Sequence, residues 1–198
     1  PYLSLMKSRF SKILLIACLA YFQSEAQHIT VLNSSFEGEP ADATAPQGWM
    51  PCQEASTPDI LPGYWVVYTV PSDGDTYLGL ITRGNRTWES IGQRLSGTLK
   101  KGSCYAWSLD LAHADTYSGH NGPVKLRVWV SKVKCQKDQL IFESPLIGHT
   151  DWETYKVKFT ADDDYQYILL EAFHSEEEFS YKGNILIDRL RAIQGCDR

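Results

Sequence analysis

Short runs of β-branched and aromatic residues, separated by glycine, proline, asparagine and aspartate, make up this chain from residue 29 onward. Runs of this kind, bounded by turn-forming residues, are typical of β-strands, and no segment has the apolar period of a long helix. The predicted strands are Ile29–Phe36, Trp65–Val70, Thr76–Thr82, Glu89–Leu95, Cys104–Ala112, Val124–Ser131, Gln139–Glu143, Thr154–Thr160, Tyr165–His174 and Asn184–Ile193. Many short strands in one domain predict an all-β sandwich of two packed antiparallel sheets.

Alternation along three central strands predicts which side of each strand is buried, because successive side chains of a strand point to opposite faces. The apolar positions predicted to build the core are Tyr105, Trp107, Leu109, Leu111, Val124, Leu126, Val128, Val130, Ile168, Leu170 and Ala172. The intervening positions then place Asp110, Arg127, Trp129, Glu171 and Phe173 on an outer face.

This predicted outer face suits a carbohydrate. Flat C–H faces of sugars stack on aromatic rings, and their hydroxyls pair with carboxylates and guanidinium groups. We therefore expect Asp110, Arg127, Trp129 and Glu171 to contact a ligand. The alternative is a solvated sheet face on which Arg127 pairs with Glu171 or Asp110 and no ligand binds.

Two polar, aromatic segments are further candidates for ligand contacts. The loop Ala112–Gly122 follows a predicted core strand and contains Tyr117. The segment Ser175–Gly183 contains three glutamates and Tyr181, and it is a candidate for the other wall of a cleft. Functional loops have this composition, but so do ordinary solvated loops.

The first 26 residues predict export. A basic segment around Met6 and Lys12 precedes the apolar run Ile13–Phe22, and Ala26 ends a small-residue cleavage site. This is the pattern of a secretory signal peptide over residues 6–26, followed by one domain over residues 27–198. A lipoprotein anchor at Cys18 is the alternative to a secreted protein. No later segment is long and apolar enough to span a membrane after signal cleavage.

The mature domain is acidic. Cleavage after residue 26 leaves 16 basic and 23 acidic side chains, a net charge of −7. An acidic domain without a basic run argues against nucleic acid or an anionic membrane as the partner.

Four cysteines remain after cleavage, and an even number in an exported chain predicts two disulfides. They are Cys52, Cys104, Cys135 and Cys196, and the sequence leaves all three possible pairings open. The spacing of these cysteines and of the histidines does not match a zinc site.

The two ends of the mature chain carry a resemblance to a known group of proteins. Asn33-Ser34-Ser35-Phe36-Glu37 near the start and Gly183-Asn184-Ile185-Leu186-Ile187-Asp188 near the end resemble the terminal strands of galactose-binding-like jelly rolls, the fold of many carbohydrate-binding modules. Together with the motifs between them, such as Asp73-Gly74-Asp75-Thr76-Tyr77-Leu78-Gly79-Leu80 and Trp88-Glu89-Ser90-Ile91-Gly92-Gln93-Arg94-Leu95, they resemble exported domains of Gram-negative bacteria that often precede an OmpA-like domain. The resemblance implies a jelly roll exported to the cell envelope or beyond, with a generally unassigned ligand.

The same resemblance implies a structural calcium ion where the first and last strands meet. The matching side chains are Glu37 and Asp188, with backbone carbonyls completing the shell. Ca²⁺ takes six to eight oxygen ligands and favours carboxylates, so both residue types fit. The alternative for Asp188 is the cap of a turn or an ion pair.

The sequence gives little support for catalysis. It contains no Gly-x-Ser-x-Gly motif, and its histidines are scattered. Asp110 and Glu171 are a conceivable acid pair, but carboxylates beside an arginine more often form a charge network. We therefore predict an exported, non-catalytic module that binds a glycan on the outer face of one sheet or on its rim loops. A structural or protein-interaction domain of the cell envelope is the alternative, and a small glycoside hydrolase or lyase is less favoured.

Overall fold

A computed structural model describes residues 28–174 and 181–196, and all its regular elements are strands. The predicted signal peptide, residues 6–26, lies outside this range. Among the described residues, no helix is long and apolar enough to cross a membrane. The strands are β1 (Met50–Pro51), β2 (Asp59–Leu61), β3 (Tyr77–Thr82), β4 (Ser90–Leu99), β5 (Cys104–Ala112), β6 (Gly122–Pro123), β7 (Lys125–Ser131), β8 (Gln139–Glu143), β9 (Glu153–Thr160), β10 (Tyr165–Phe173), β11 (Gly183–Asp188) and β12 (Gln194–Gly195).

The strands form two sheets packed face to face, so the predicted all-β sandwich is confirmed. Sheet A has the strand order β1-β4-β10-β7-β8. In sheet B, β5, β11, β3 and β2 pair in that order, β9 and β12 also pair with β5, and β6 pairs with β11. The pairings are antiparallel except for the short parallel pair of β6 with β11.

The predicted core is also confirmed. All eleven apolar side chains predicted from the alternation belong to one buried cluster between the sheets, where sheet B adds Leu78, Leu80, Ile185 and Ile187. A second, smaller cluster uses the strand positions of sheet B that alternate with those of the main core, so it lies on the outer face of sheet B. Residues from the loops that cover this face complete the cluster. Its members are Leu61, Val67, Tyr77, Ala112, Ala114, Tyr117 and Leu186.

The prediction of a first strand over Ile29–Phe36 is wrong. Ile29 forms an isolated bridge with Ile193, and the chain then turns. The Asn33 side chain accepts the Glu37 N–H (2.7 Å) and donates to the Glu37 carbonyl (2.9 Å), while Asn33 has a φ of 52°. Asparagine offers the backbone local hydrogen bonds that compete with a strand ladder, and here they end the apolar run in a turn.

The predicted strand Trp65–Val70 is also wrong. The Val67 N–H donates to the Tyr64 carbonyl, and the Gly63 N–H donates to the Val67 carbonyl, both at 2.9 Å. Trp65 and Val66 have φ values of 56° and 65°, which no strand residue adopts. The apolar run therefore forms a local loop. The other eight predicted strands are present, although β11 ends at Asp188.

Two disulfides select one of the three pairings that the sequence leaves open. Cys104–Cys196 joins the start of β5 to the end of the chain described here, with a Cα–Cα distance of 5.4 Å. Cys52–Cys135 joins the segment after β1 to the loop between β7 and β8, with a Cα–Cα distance of 4.9 Å. Because β1 and β8 are the two edges of sheet A, the second disulfide draws the β7–β8 loop across the outer face of that sheet.

Buried polar side chains fasten the loops over sheet B. Asn184, which is fully buried on β11, accepts the Ala114 N–H (2.9 Å) and donates to the carbonyls of Ala114 and His120 (both 2.8 Å). These bonds hold the loop between β5 and β6 against the sheet.

Glu89, also fully buried, joins two other parts of the chain, the segment at Thr57 and the end of β3. Its carboxylate accepts the N–H and hydroxyl of Thr57 (3.0 and 2.8 Å) and the Ile81 N–H (3.1 Å), and it forms an ion pair with Arg83. Burial raises the pKa of Glu89 to about 7, while Thr57 and Arg83 act in the opposite direction.

This raised pKa predicts a dependence of stability on pH. The folded state holds the Glu89 proton more tightly than the unfolded chain does, so this group's contribution is complete below about pH 4.5 and is lost as the pH rises through about 7. Urea unfolding at pH 5 and pH 8 should show a fall in unfolding free energy that is smaller, by about 2 kcal/mol, in Glu89→Gln than in the wild type. Burial also raises the pKa of Asp188 to about 7. Because Asp188 is present in both proteins, it contributes equally to both falls in unfolding free energy. Equal falls in the two proteins would contradict the assignment.

Candidate functional site

The structure brings three of the predicted contact residues together on the outer face of sheet A. Arg127 and Trp129 lie on β7, and Glu171 lies on the neighbouring strand β10, directly opposite Arg127. Their side chains point away from the core, because the alternate positions of both strands belong to the core cluster.

The placement of Asp110 on the same face is wrong. Asp110 lies on β5 in sheet B, on the opposite side of the sandwich. Its carboxylate accepts hydrogen bonds from Thr154 Oγ1 (2.7 Å) and from the Ser72 hydroxyl, and Arg189 Nη2 lies 2.7 Å away. Neither the Arg127–Asp110 ion pair nor an acid pair of Asp110 with Glu171 is therefore possible. Alternation tells which face of a strand is buried, but it does not tell which sheet the strand joins.

Aromatic rings extend the face around Arg127. The guanidinium carbon of Arg127 lies 3.3 Å from the ring centre of Phe173, and Trp88 meets Phe173 edge to face at 6.0 Å. Trp88 was not among the predicted contact residues; it pairs with Thr82 in an isolated bridge just before β4. Its position beside a predicted strand was the only signal.

The guanidinium is oriented by Glu143 of β8. Arg127 Nε lies 2.7 Å from one Glu143 oxygen, and Lys125 Nζ lies 2.8 Å from the other. These two cations hold the pKa of Glu143 below its ordinary value. The predicted alternative of an Arg127–Glu171 ion pair is therefore corrected: the two residues are register partners, but Arg127 forms an ion pair with Glu143.

A loop closes this face. We call residues 132–138, which connect β7 to β8 and contain Cys135, the tethered loop. Lys137 of this loop forms an ion pair with Glu171, which is 1% exposed, and its Nζ lies 5.9 Å from the ring centres of both Trp88 and Trp129. The lysine ammonium is therefore close to both indoles.

Both indoles carry an unsatisfied donor. The Nε1 atoms of Trp88 and Trp129 are buried, and neither has a hydrogen-bond acceptor among the described residues. A buried N–H without an acceptor loses its hydration without compensation, and most such groups in folded proteins are satisfied. Two of them beside one lysine mark this face as the place where a ligand with acceptor atoms would be stabilised.

The two other predicted contact residues lie elsewhere. Tyr117 is 2% exposed on the outer side of sheet B, and its hydroxyl donates to Asp59 Oδ2 at 2.6 Å. Tyr181 stacks on His174, with ring centres 3.5 Å apart, and packs against the main core. Residues 175–180, the rest of the predicted cleft wall, lie outside the described part of the chain.

Asp188 caps a turn, which was the alternative to its role in a calcium site. Its Oδ2 accepts the N–H groups of Ser72 and Asp73 (both 2.9 Å), and its Oδ1 accepts the Arg189 N–H (2.7 Å). Each carboxylate oxygen can accept more than one bond, so these contacts leave capacity for a cation.

Glu37 meets the same turn from the other side. Its Oε2 accepts the Asp75 N–H at 3.0 Å, whereas its Oε1 is buried and accepts no hydrogen bond from any described residue. A Cβ at Gly74 would collide with that oxygen, so only glycine admits it. The described residues hold no group of three acidic, histidine or cysteine side chains arranged for a metal ion. The free Oε1 fits a cation whose remaining ligands are carbonyl oxygens or water.

No family model and no curated protein matches this chain. Among solved structures, it is similar to the CBM22-1 xylan-binding domain of Xyn10C from Paenibacillus barcinonensis, with 16% identity over 87% of this chain and 97% of that domain and a TM-score of 0.53. It is similar to a Stig cyclase from Fischerella sp. TAU, with 14% identity over 86% of this chain and 98% of the cyclase and a TM-score of 0.56. The arabinose-bound α-L-arabinofuranosidase MgGH51 matches 86% of this chain over 27% of its own length, with 12% identity and a TM-score of 0.60. At such identities the similarity shows the fold alone, which is the jelly-roll sandwich of carbohydrate-binding modules.

Proposed function

We propose that this protein is an exported module that binds a carbohydrate, without catalysis, on the outer face of sheet A. The observation that carries the proposal is the pair of buried indole N–H groups of Trp88 and Trp129, which have no acceptor among the described residues. Sugar hydroxyl and ring oxygens are suitable acceptors, and the indole faces suit sugar C–H groups.

The polar groups of this face complete the chemistry of a sugar site. Arg127 forms an ion pair with Glu143, and its guanidinium lies over the ring of Phe173. Glu171 is buried and forms an ion pair with Lys137, which is an exposed residue of the tethered loop. A sugar bound between the indoles would displace or contact the Lys137 ammonium, so ligand binding and movement of the tethered loop are coupled in this proposal.

The fold and the disulfides support the remaining parts of the proposal. A xylan-binding domain and an arabinose-bound enzyme have similar folds. Two disulfides are typical of a domain that folds in an oxidising compartment, which favours secretion. The association with OmpA-like domains and the choice between a secreted protein and a lipid anchor at Cys18 stay predictions from the sequence.

One observation favours the alternative of a protein-interaction module. The loop between β2 and β3 exposes a run of large apolar side chains on the other side of the molecule, and such patches are typical of interaction surfaces. They are Tyr64, Trp65, Val66, Tyr68 and Val70, between 41% and 78% exposed.

Replacement of Trp129 by alanine should abolish or strongly weaken glycan binding. We expect at least a tenfold loss of affinity for the glycan that the wild type binds best on an array, because the substitution removes both the stacking surface and the indole donor. Trp88→Ala should cause a similar loss of affinity. Tyr68→Ala is the control, since it removes an exposed aromatic ring from the opposite side, and far-UV circular dichroism and thermal melting check the fold of each variant.

Three outcomes contradict this proposal. Equal binding by Trp129→Ala and Tyr68→Ala would place the ligand elsewhere. A blank array with well-folded wild-type protein would favour the protein-interaction alternative. Release of products from the bound glycan would show an enzyme.

We also propose that Glu37 and Asp188 hold a structural Ca²⁺. Such an ion would neutralise two acidic side chains that contact the same turn. It would bind the folded protein and not the unfolded chain.

Chelation should therefore lower the melting temperature. Thermal unfolding with 1 mM Ca²⁺ and with excess EDTA should differ by several degrees in the wild type, for roughly 2–3 kcal/mol of linkage at a hundredfold excess over the dissociation constant. Glu37→Gln should show no such difference, and Glu39→Gln, an exposed neighbour, should keep it. An unchanged melting temperature in wild-type protein would refute the calcium site.

A further inference from the structure

A cavity of about 170 Å³ opens on the outer side of sheet B, opposite to the face proposed to bind glycans. Side chains from β2 and β3 form its floor, and the loops between β2 and β3 and between β5 and β6 form its walls. It is lined by Ala43, Thr57, Asp59, Trp65, Ile81, Arg83, Tyr117, Ser118 and His120.

The sequence builds this cavity through one close approach. A Cβ at Gly79 on β3 would collide with the Tyr117 hydroxyl, so the ring of Tyr117 can lie on the sheet only above a glycine. In this position Tyr117 donates to Asp59, and Asn184 holds the loop that carries it. The floor is therefore rigid and largely preformed.

Asp59 is a buried carboxyl without a cation. It is 4% exposed, and it accepts the Ala43 N–H (2.8 Å) and the Tyr117 hydroxyl (2.6 Å). None of the described lysine, arginine or histidine side chains forms an ion pair with it, and burial raises its pKa. A buried carboxylate is normally paired, so this site is complementary to a positive charge from outside the chain.

The charges around the cavity leave that complementarity intact. Arg83 forms an ion pair with Glu89. His120 has a pKa below its ordinary value, chiefly because it is partly buried and lies near Lys182, and it is uncharged at neutral pH. The exposed Asp42 adds a further negative charge beside Asp59.

Two further features point to a ring-shaped ligand with a hydrogen-bond acceptor. Trp65, at the wall, is 42% exposed, so its indole is open to stacking. Arg83 Nη1 is buried and has no hydrogen-bond acceptor among the described residues. Ala43, Trp65 and Ser118, all lining residues, have positive φ values of 48°, 56° and 49°, and such costly backbone conformations cluster at binding sites.

We propose that this cavity is a second binding site, specific for a small ring compound that carries a protonated amine, with the ammonium on Asp59, the ring against Trp65 and an acceptor atom on Arg83. Amino sugars and aryl-alkyl amines that carry a phenol oxygen share this chemistry. A cation between a carboxylate and aromatic rings gains from both the ion pair and the cation–π interaction.

Isothermal titration calorimetry of the whole chain at pH 7 tests this site. The probes are glucosamine, its neutral counterpart glucose, and tyramine as the aryl-alkyl amine, whose phenol oxygen supplies the acceptor atom. We expect glucosamine or tyramine to bind at least tenfold more tightly than glucose, and the better of the two amines identifies the source. Equal affinities for glucosamine and glucose, with no binding of tyramine, would overturn the proposal, as would no binding of any probe.

Matched variants locate the site. Asp59→Asn should weaken amine binding at least tenfold, whereas Asp42→Asn, an exposed neighbour of similar charge, should have a much smaller effect. Trp65→Ala should weaken binding and, because its side chain is half exposed, it should fold even if Asp59→Asn does not. Trp129→Ala should bind the amine normally, which separates this site from the proposed glycan face. Equal losses in Asp59→Asn and Asp42→Asn, or full binding by Trp65→Ala, would overturn the assignment.

Discussion

Every long strand of this protein sends alternate side chains into one core between the sheets, and this constraint determines what is left for function. The core uses one face of each sheet, so the remaining positions of the same strands necessarily form two outer faces. Each outer face carries apolar and charged groups that water alone would not stabilise, and each is covered by a loop. The two candidate sites are the places where this cover leaves polar groups unsatisfied.

The two covers differ in chemistry. On sheet A the tethered loop is held by Cys52–Cys135 and by the ion pair of Lys137 with Glu171, and it lies over aromatic rings and a guanidinium group. On sheet B the loops are held by several hydrogen bonds, to Asn184, Glu89 and Asp59, and by a small apolar cluster. A charged, single-residue contact is easier to displace than a packed cluster. We therefore expect ligand binding to move the cover of sheet A and to leave that of sheet B in place.

The sequence predicted the fold and the core well, because burial of alternate positions is decided strand by strand. It failed where local hydrogen bonds compete with a strand, as in the Asn33 turn and the loop at Trp65. It also placed Asp110 beside Arg127, since the assignment of a strand to a sheet depends on long-range pairing. The closing of the predicted glycan face depends on a disulfide pairing that the cysteine count leaves open. Asp59 and Arg83 were missed because each lies in a short or edge segment whose pattern does not differ from that of ordinary loop residues.

The proposed function depends most on one contact, that of a bound ligand with the indoles of Trp88 and Trp129 on sheet A. The chain contains six tryptophans, and each indole N–H gives its own signal in a proton–nitrogen correlation spectrum. Two of the others, Trp49 and Trp152, already donate to the Asn33 and Val70 carbonyls. On titration with a glycan that binds, the account predicts that the signals of Trp88 and Trp129 move while those of Trp49 and Trp152 stay in place. Unmoved signals for Trp88 and Trp129 under saturating glycan would contradict it.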